Sequence, residues 1–323
     1  MLARRGRTLN SIVNVVLPVF GLILTGYLAG WRNLLGRASS EALNGFVFYF
    51  ALPVLLFLAM ARIDTSTVLN GPYIAAYLLG QVATMAIGIV IARTLFRVSF
   101  SEAATHGTVG IYGNVGYMGI PLVLTAFGES ALPPVVIATI INAALNIAIL
   151  TAVIESGRQD GSGAKALRNV AVSVASSPIL VAPVLGFLWA LAGLKLPASL
   201  VTYGTILGAA AGPCALFSIG LSLVGLPLSE GRAEVASMTF LKLLVHPVAT
   251  WAFAAWLLAD QPQLFVICIL MAALPTGANL FVLVQRYRIY VARTSTGILA
   301  TTTLSLLTLS GLFYLFASSG LEL

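Results

Sequence analysis

The chain has few charged residues for its length. Of its 323 residues only 8% are Asp, Glu, Lys or Arg, whereas a soluble domain carries about 25%. Hydrophobic residues make up 59%, and the mean hydropathy is +1.01. This composition excludes an ordinary soluble protein and predicts a chain that lies in the lipid bilayer. The net charge of +7 comes from basic residues scattered through short loops, so it does not indicate nucleic-acid binding.

Several chemical groups are also scarce. The only two cysteines, Cys214 and Cys268, lie far from metal-ligand spacing in apolar segments, so we interpret them as small buried hydrophobic residues. The sequence has no GxxxxGK[ST] loop, which argues against ATP as the direct energy source. It shows neither a nucleophile–base pair nor a His/Cys cluster. We therefore expect no enzyme activity, no metal site and no cofactor.

Long apolar runs predict ten membrane-spanning helices, each near the ~20 residues that cross a bilayer. The first run follows Arg4, Arg5 and Arg7 as in a signal peptide, but it is as long as a full span and has no obvious cleavage site. The sequence thus predicts an all-α polytopic membrane protein. The approximate spans are 10–31, 42–61, 70–92, 103–127, 131–154, 169–191, 199–226, 236–259, 262–285 and 294–318.

The ten spans divide into two similar halves. Pro18 begins a PVFG segment and Pro183 a PVLG segment, while Pro53 corresponds to Pro213, with offsets near 160–165 residues. Because each half has five spans, the second is expected to be inverted in the membrane. The predicted division is a first repeat over 1–155, a cytoplasmic linker loop over 156–168 and a second repeat over 169–323.

Basic residues predict the orientation in the inner (plasma) membrane. The loops after the odd-numbered spans hold the majority, and the positive-inside rule makes that side cytoplasmic, with both termini outside. The three arginines at the N-terminus oppose this orientation. The majority residues are Arg32, Arg37, Arg93, Arg97, Arg158, Lys165, Arg168, Arg232, Arg286, Arg288 and Arg293; the others are Arg4, Arg5, Arg7, Arg62 and Lys195.

Two predicted spans are interrupted at matching places in the two halves. The fourth contains GNVGYMGIP from Gly113 to Pro121, and the ninth contains LPTGAN from Leu274 to Asn279. Backbone groups freed inside hydrocarbon must bind protein, water or ligand, so such paired breaks are typical of a transporter's binding site. The carbonyl end of a stopped helix suits a cation, and the amide end of a restarted helix suits an anion.

The residues of these breaks are the candidate substrate-binding residues. Glycine permits irregular backbone and close approach, proline suits a first helical turn, and each asparagine offers a donor and an acceptor. The alternative is that the breaks are ordinary proline kinks whose asparagines tie neighbouring helices together. The predicted substrate-binding residues are Gly113, Asn114, Gly116, Pro121, Pro275, Thr276, Asn279 and Lys242.

Lys242 is the one fully charged residue well inside a predicted span. A buried ammonium is costly and usually functional, so Lys242 is predicted to neutralise an anionic substrate or to replace a bound coupling cation. His246 lies one turn later and could carry a coupling proton. The alternative is that Lys242 snorkels to the interface.

Other polar residues have two interpretations. Asn142, Asn146 and Gln81 either bond neighbouring helices or line the substrate path. Asp64, Glu102 and Glu129 lie at span ends, as solvated charges or as gating ion pairs. No carboxylate lies inside a predicted span, so a coupling sodium ion would need neutral oxygen ligands. Gly204, Gly208 and Gly212 indicate close helix packing, within a protomer or between the protomers of a homodimer.

The two interrupted segments resemble a known family. GNVGYMGIPL resembles the fourth-span signature of the auxin efflux carrier family, and LPTGANLFVL, followed by Tyr287, resembles its ninth-span signature. The ten-span layout extends the resemblance to the whole chain, and the short central loop is similar to that of bacterial members. The resemblance implies that the two broken helices cross near mid-membrane. It also implies a mobile unit of spans three to five and eight to ten, a scaffold of spans one, two, six and seven, and a small organic anion as substrate.

The leading hypothesis is therefore a carrier of a small mono- or dicarboxylate, such as auxin, malate or malonate, that works by alternating access. One alternative is a sodium-coupled organic-anion symporter similar to the bile acid symporter family. From other classes, a membrane sensor or receptor and an intramembrane enzyme remain alternatives. A receptor is disfavoured because the sequence contains no signalling domain, and an enzyme is disfavoured because it contains no set of catalytic residues.

Overall fold

The computed structural model describes residues 12–63, 70–156, 163–225 and 231–319. These residues are predominantly helical, and among them β structure is limited to an isolated antiparallel bridge between Gly113 and Thr276. The predictions that concern Arg4, Arg5, Arg7, Asp64 and Arg158 lie outside the described residues.

The described ranges contain thirteen helical segments. Some of these segments consist of shorter helices and wide turns that are continuous with one another. Seven of them, α1, α2, α3, α6, α9, α10 and α13, are long and apolar enough to cross a membrane, and α5, α8 and α11 are shorter apolar helices. The prediction of an all-helical, multi-pass membrane chain is confirmed at this level. The segments are α1 (Asn14–Trp31), α2 (Arg37–Ala61), α3 (Gly71–Thr94), α4 (Phe100–Ile111), α5 (Val115–Phe127), α6 (Glu129–Glu155), α7 (Gly163–Ala175), α8 (Pro178–Leu191), α9 (Ala198–Ser222), α10 (Arg232–Leu257), α11 (Pro262–Ala273), α12 (Asn279–Tyr287) and α13 (Val291–Ser319).

Three of the predicted spans are each divided between two helices. Span four corresponds to α4 and α5, span nine to α11 and α12, and span six to parts of α7 and α8. The division of span six was not predicted. Ser177 has extended backbone angles (φ −76°, ψ 116°) because the following residue, Pro178, disfavours a helical conformation in its predecessor. Pro178 then begins α8, where its missing N–H is not needed.

Wide turns with π-helical geometry precede four prolines. A proline lacks an N–H, and its ring clashes with the carbonyl four residues earlier, so the preceding turn opens to a longer hydrogen bond. Each of these turns has five residues and ends two residues before its proline. The pairs are Ile12–Val16 with Pro18, Val47–Ala51 with Pro53, Val115–Gly119 with Pro121, and Leu241–Val245 with Pro247.

The helices pack as two groups. In the first group α1 packs on α9, and α2 packs on α8 and α9. In the second group α3 packs on α4 and α10, and α11 packs on α3, α6, α10 and α13. Contacts also join the groups, among them those of α5 with α9 and of α2 with α6. The first group corresponds to the spans that the resemblance assigns to a scaffold; movement between the groups stays a prediction.

Glycines of α9 permit close packing within the chain. A Cβ atom on Gly204 would lie 2.6 Å from Cδ1 of Leu58, and one on Gly208 would lie 3.3 Å from Cα of Leu55. Both leucines belong to α2. The close packing that these glycines predicted therefore occurs inside one protomer.

The main hydrophobic core surrounds α11, whose residues from Val266 to Ala273 are all buried. Cys268 is one of them, as expected for a small apolar residue. Cys214, on α9, is also a free thiol but is only half-buried. Burial on all sides of α11 fixes the helix whose carbonyl end precedes the second interruption.

Candidate functional site

The interruptions after α4 and α11 lie against each other. The backbone N–H of Asn114 donates a hydrogen bond to the carbonyl of Pro275 over 2.8 Å, and the N–H of Gly277 donates to the carbonyl of Tyr112 over 3.0 Å. Each interrupted segment thus supplies hydrogen-bond partners to backbone groups of the other. Backbone groups that a helix no longer pairs need such partners wherever water is excluded.

Thr276 fixes the second interruption from both sides. Its N–H donates to the Thr301 hydroxyl of α13 over 3.1 Å, and its own hydroxyl donates to the Val109 carbonyl of α4 over 3.0 Å. The side chain is fully buried and does not line the cavities beside the interruptions. Thr276, which was predicted to bind substrate, therefore holds the two broken helices together in this structure.

The close approach of the interruptions depends on glycine. A Cβ atom on Gly277 would lie 2.8 Å from Cε1 of Tyr112 and 3.1 Å from the carbonyl oxygen of Gly113. By contrast, a Cβ atom on Gly116 would lie 4.0 Å from Thr139, an ordinary contact. The two positions therefore differ: Gly277 allows backbone contact, whereas Gly116 leaves open space beside the site.

Three cavities with shared lining residues meet at the interruptions. Their volumes are about 60, 390 and 820 Å³. Asn279 lines all three, and Asn114 lines the two smaller ones. Of the other predicted residues, Gly113, Gly116 and Asn142 line the smallest cavity. Among the described residues, none that lines the two smaller cavities is charged.

Both restarted helices present their amide ends to these cavities. Helix α5 begins at Val115, directly after Asn114, and α12 begins at Asn279. The first N–H groups of a helix lack the usual helical partner and carry partial positive charge. In α12, the N–H groups of Leu280 and Phe281 already donate to the carbonyls of Gly277 and Ala278. Within the part of the chain that the structure describes, the side-chain amides of Asn114 and Asn279 have no hydrogen-bond partner. The arrangement offers several neutral donors to an anion.

Residues from the other packing group complete the lining. Asn44 of α2 lines the 390 Å³ cavity; its Oδ1 accepts a hydrogen bond from the Ser218 hydroxyl over 2.9 Å, and its carbonyl accepts one from the Tyr117 hydroxyl over 3.3 Å. Sequence reasoning missed Asn44 because it lies near the start of predicted span two, where a polar residue is ordinary. Ser177, in the unpredicted break before α8, lines the 60 Å³ cavity.

The 820 Å³ cavity contains charged groups. Arg286, in the last turn of α12, and Glu155, at the end of α6, both line it. Glu155 is only 7% exposed. Glu155 lies one residue beyond predicted span five. It was therefore not counted when the predicted spans were searched for carboxylates.

Asn142 connects the interruption to α3. Its Nδ2 donates to the Gly113 carbonyl over 3.2 Å and to the Tyr77 hydroxyl over 3.3 Å. Its Oδ1 accepts from Nε2 of Gln81 over 3.2 Å and from Nδ2 of Asn146 over 2.9 Å. The three amide residues that were predicted to bond helices or line a path thus form one buried network, and one of them also reaches a cavity.

Lys242 lies away from these cavities. The residue is fully buried, and its Nζ lies 2.7 Å from the carbonyl oxygen of Ala272 and 2.9 Å from Nδ1 of His246. The snorkelling alternative is wrong, because no part of Lys242 reaches the surface. His246 is also fully buried, and its Nε2 has no partner among the described residues.

Pro121 lines a separate cavity of about 250 Å³. This cavity lies between α5 and helices of the first packing group, and its lining includes Gly212, Arg62 and Glu129. Pro275, in contrast, takes part in the contact between the interruptions through its carbonyl. The predicted substrate-binding residues therefore separate into cavity-lining, helix-joining and distant groups.

Comparison with known proteins identifies the family. A family model described as "Membrane transport protein" matches residues 11–313. The chain is 33% identical over 312 residues to the "Putative malonate transporter" of Rhizobium meliloti (strain 1021), covering 96% of this chain and 98% of that protein. It is 27% identical to the "Uncharacterized transporter YfdV" of Escherichia coli (strain K12), covering 92% and 94%. It is 23% identical to "Auxin efflux carrier component 5" of Arabidopsis thaliana, covering 90% and 92%. The chain therefore belongs to the auxin efflux carrier family of membrane transport proteins.

Proposed function

We propose that this protein is a secondary carrier of a small dicarboxylate of the malonate class. The observation that carries the proposal is the meeting of two helix amide ends and two unpartnered asparagine amides, Asn114 and Asn279, at the same cavities. Amide ends of helices bind carboxylates through N–H groups and partial positive charge. The relative named for malonate, which matches nearly the whole chain, supports this substrate class.

Two amide ends suit two carboxylate groups. We propose that one carboxylate binds the first turn of α5 with Asn114, and that the other binds the first turn of α12 with Asn279. Asn44 offers a further Nδ2 donor from α2, because its Oδ1 is already used by Ser218.

Transport would proceed by alternating access between two inverted five-span repeats, with spans four and nine broken and crossing at mid-membrane. Two features support this proposal. The helices form two packing groups that contact each other through α5 with α9 and α2 with α6. The 820 Å³ cavity reaches Asn279 beside Arg286, whereas the cavity lined by Pro121 lies beside Arg62 and Glu129. With the predicted orientation, the larger cavity opens to the cytoplasm.

The test is uptake of labelled malonate into liposomes that contain the purified protein. Wild type should show saturable uptake. Asn279→Asp should reduce apparent affinity by about tenfold or more, because a carboxylate of nearly the same shape repels the anion and lacks the N–H donors. Asn279→Gln, the matched control, keeps the donors and should lose less.

Two outcomes would contradict the proposal. Uptake by Asn279→Asp equal to wild type would remove the substrate from this site. Saturable binding of malonate without uptake under any sodium or pH gradient would indicate a sensor. Uptake that requires sodium would instead favour the symporter alternative.

A further inference from the structure

Lys242 brings an amine into the interior of the second packing group. It lies in the wide turn Leu241–Val245 of α10 and is fully buried. Its two partners are the carbonyl oxygen of Ala272 and Nδ1 of His246. Among the described residues, no carboxylate forms an ion pair with Lys242. A carboxylate therefore does not explain why a lysine occupies this position.

The Ala272 carbonyl belongs to a helix end. Helix α11 ends at Ala273, and the next residues, from Leu274 to Ala278, form the second interruption. The last four carbonyls of a helix lack partners within it and carry partial negative charge. An ammonium 2.7 Å from one of them therefore occupies the position where a broken membrane helix would bind a cation.

The other groups described around this amine are uncharged aromatic and thiol side chains. The Tyr77 ring of α3 lies 6.1 Å from the His246 ring, and Tyr73 stacks on Tyr77 at 6.4 Å. Cys268, one turn before Ala272 on α11, is a buried thiol. Because these surroundings supply no negative charge, a second positive charge beside Lys242 would be strongly repelled. Lys242 and His246 can therefore hold at most one positive charge between them, and the Lys242 amine is placed to present it to the Ala272 carbonyl.

A ring contact followed by hydrogen bonds links this amine to the first interruption. Tyr77, beside His246, shares a hydrogen bond with Asn142, which in turn donates to the Gly113 carbonyl. The contacts at the two interruptions are similar but not identical. An asparagine amide binds the carbonyl beyond α4, whereas a lysine amine binds the carbonyl at the end of α11.

We propose that Lys242 is a resident cation that supplies the positive charge at the carbonyl end of α11, where a cation-coupled carrier would bind a metal ion. The protein then needs no sodium to stabilise the second interruption, and its transport cycle needs no sodium gradient. The transport part of this inference rests on the proposed function. The cation part concerns the protein alone.

The first experiment uses no substrate. The melting temperature of purified wild type is measured in sodium, potassium and choline chloride at equal concentrations. We expect the same value in all three salts, because the site is already occupied by an amine. A saturable increase that only sodium produces would overturn the proposal, whatever the protein transports.

The second experiment compares Lys242→Met, which keeps length and removes the charge, with Lys242→Arg, which keeps the charge. Lys242→Met should lower the turnover of malonate uptake by about tenfold or more. The substrate concentration at half-maximal rate should change less than about twofold, because Lys242 does not line the cavities. Lys242→Arg should retain at least about a third of the turnover, since one charge is kept.

Several outcomes would overturn the proposal. One is wild-type turnover in Lys242→Met; another is a folded Lys242→Arg as inactive as Lys242→Met. If Lys242→Met does not fold, the double variant Lys242→His with His246→Lys tests the charge instead, because it returns an amine to the same turn. Loss of turnover in that folded double variant would also overturn the proposal. Absence of malonate uptake by wild type would contradict the proposed function and leave the salt experiment decisive.

Discussion

Arg62, the residue after α2, lies with Nη1 3.8 Å from Oε2 of Glu129, the first residue of α6. The pair therefore joins the two packing groups beside the cavity that Pro121 lines. The side chains are 39% and 67% exposed, and exposed pairs of this kind contribute about 0.2–1 kcal/mol. Such a contact shifts a balance between two arrangements without locking either one.

Removing this ion pair should open the Pro121 cavity. In Arg62→Gln, a cysteine introduced by Leu124→Cys should react with a membrane-impermeant thiol reagent about two- to fivefold faster, the ratio that a loss of up to 1 kcal/mol allows. Labelling is measured in cells with Cys214→Ser as background. The swapped pair Arg62→Glu with Glu129→Arg should restore the slow rate. Equal rates in all three backgrounds would show that the pair has no effect on opening.

A methyl group at Gly277 should destabilise the contact between the interruptions. Gly277→Ala places a Cβ 2.8 Å from the Tyr112 ring, and such overpacking typically costs about 1–3 kcal/mol. Gly116→Ala is the matched control because its Cβ has room, although it reduces the 60 Å³ cavity. Thermal unfolding in detergent should show a lower melting temperature for Gly277→Ala only. Similar melting temperatures for both variants would contradict the close approach.

The Asn142 network should be more sensitive at its centre than at its end. Asn142→Leu leaves the Gly113 carbonyl, the Tyr77 hydroxyl and the Gln81 amide without a partner, and each unsatisfied buried group costs about 1–3 kcal/mol. Asn146→Leu removes one hydrogen bond of that network, its bond to Asn142. Asn142→Leu should therefore lower the melting temperature more than Asn146→Leu. The reverse order would show that Asn142 is not the organising residue.

Asn44 should affect substrate affinity although it lies outside both interruptions. Asn44 lines the 390 Å³ cavity, and its Nδ2 has no hydrogen-bond partner among the described residues. Asn44→Ala should therefore weaken malonate binding by about three- to tenfold, the loss of one hydrogen bond to an anion. Ser218→Ala, the control, removes the bond that orients Asn44 and leaves its donor in place. Binding is measured by isothermal titration calorimetry. A larger loss in Ser218→Ala than in Asn44→Ala would assign the effect to packing.

Membrane character and the main helices could be predicted from the sequence, because a run of about 20 apolar residues has no other stable environment than lipid. The interruptions at Gly113 and Pro275 were visible for a similarly local reason, since glycine and proline weaken a helix regardless of its neighbours. Pro178 was the exception. Its effect on Ser177 is equally local, but no asparagine lies beside Pro178 as in the other two interruptions, so the sequence did not indicate a break there.

The partners of individual side chains could not be predicted in this way. Thr276 and Asn279 are close in sequence and equally suited to bind an anion. The Thr276 hydroxyl nevertheless binds the Val109 carbonyl, whereas Asn279 lines a cavity. Lys242 was expected to neutralise substrate, to replace a coupling cation or to reach the interface, and its contact with the Ala272 carbonyl could not be predicted. These outcomes depend on helix rotation and on contacts between separate helices, 30 residues apart for Lys242 and Ala272 and 167 for Thr276 and Val109, which periodicity does not encode.

The neutral lining of the two smaller cavities has a consequence for the return step of the cycle. A carrier whose site contains a fixed positive charge must cover that charge before it can reorient empty, and such carriers tend to exchange one anion for another. Here the partial charges of helix ends stay partly compensated by their own backbone when the anion leaves. We therefore expect net flux down a gradient to be nearly as fast as exchange, with the unloaded protein crossing between its two orientations unaided.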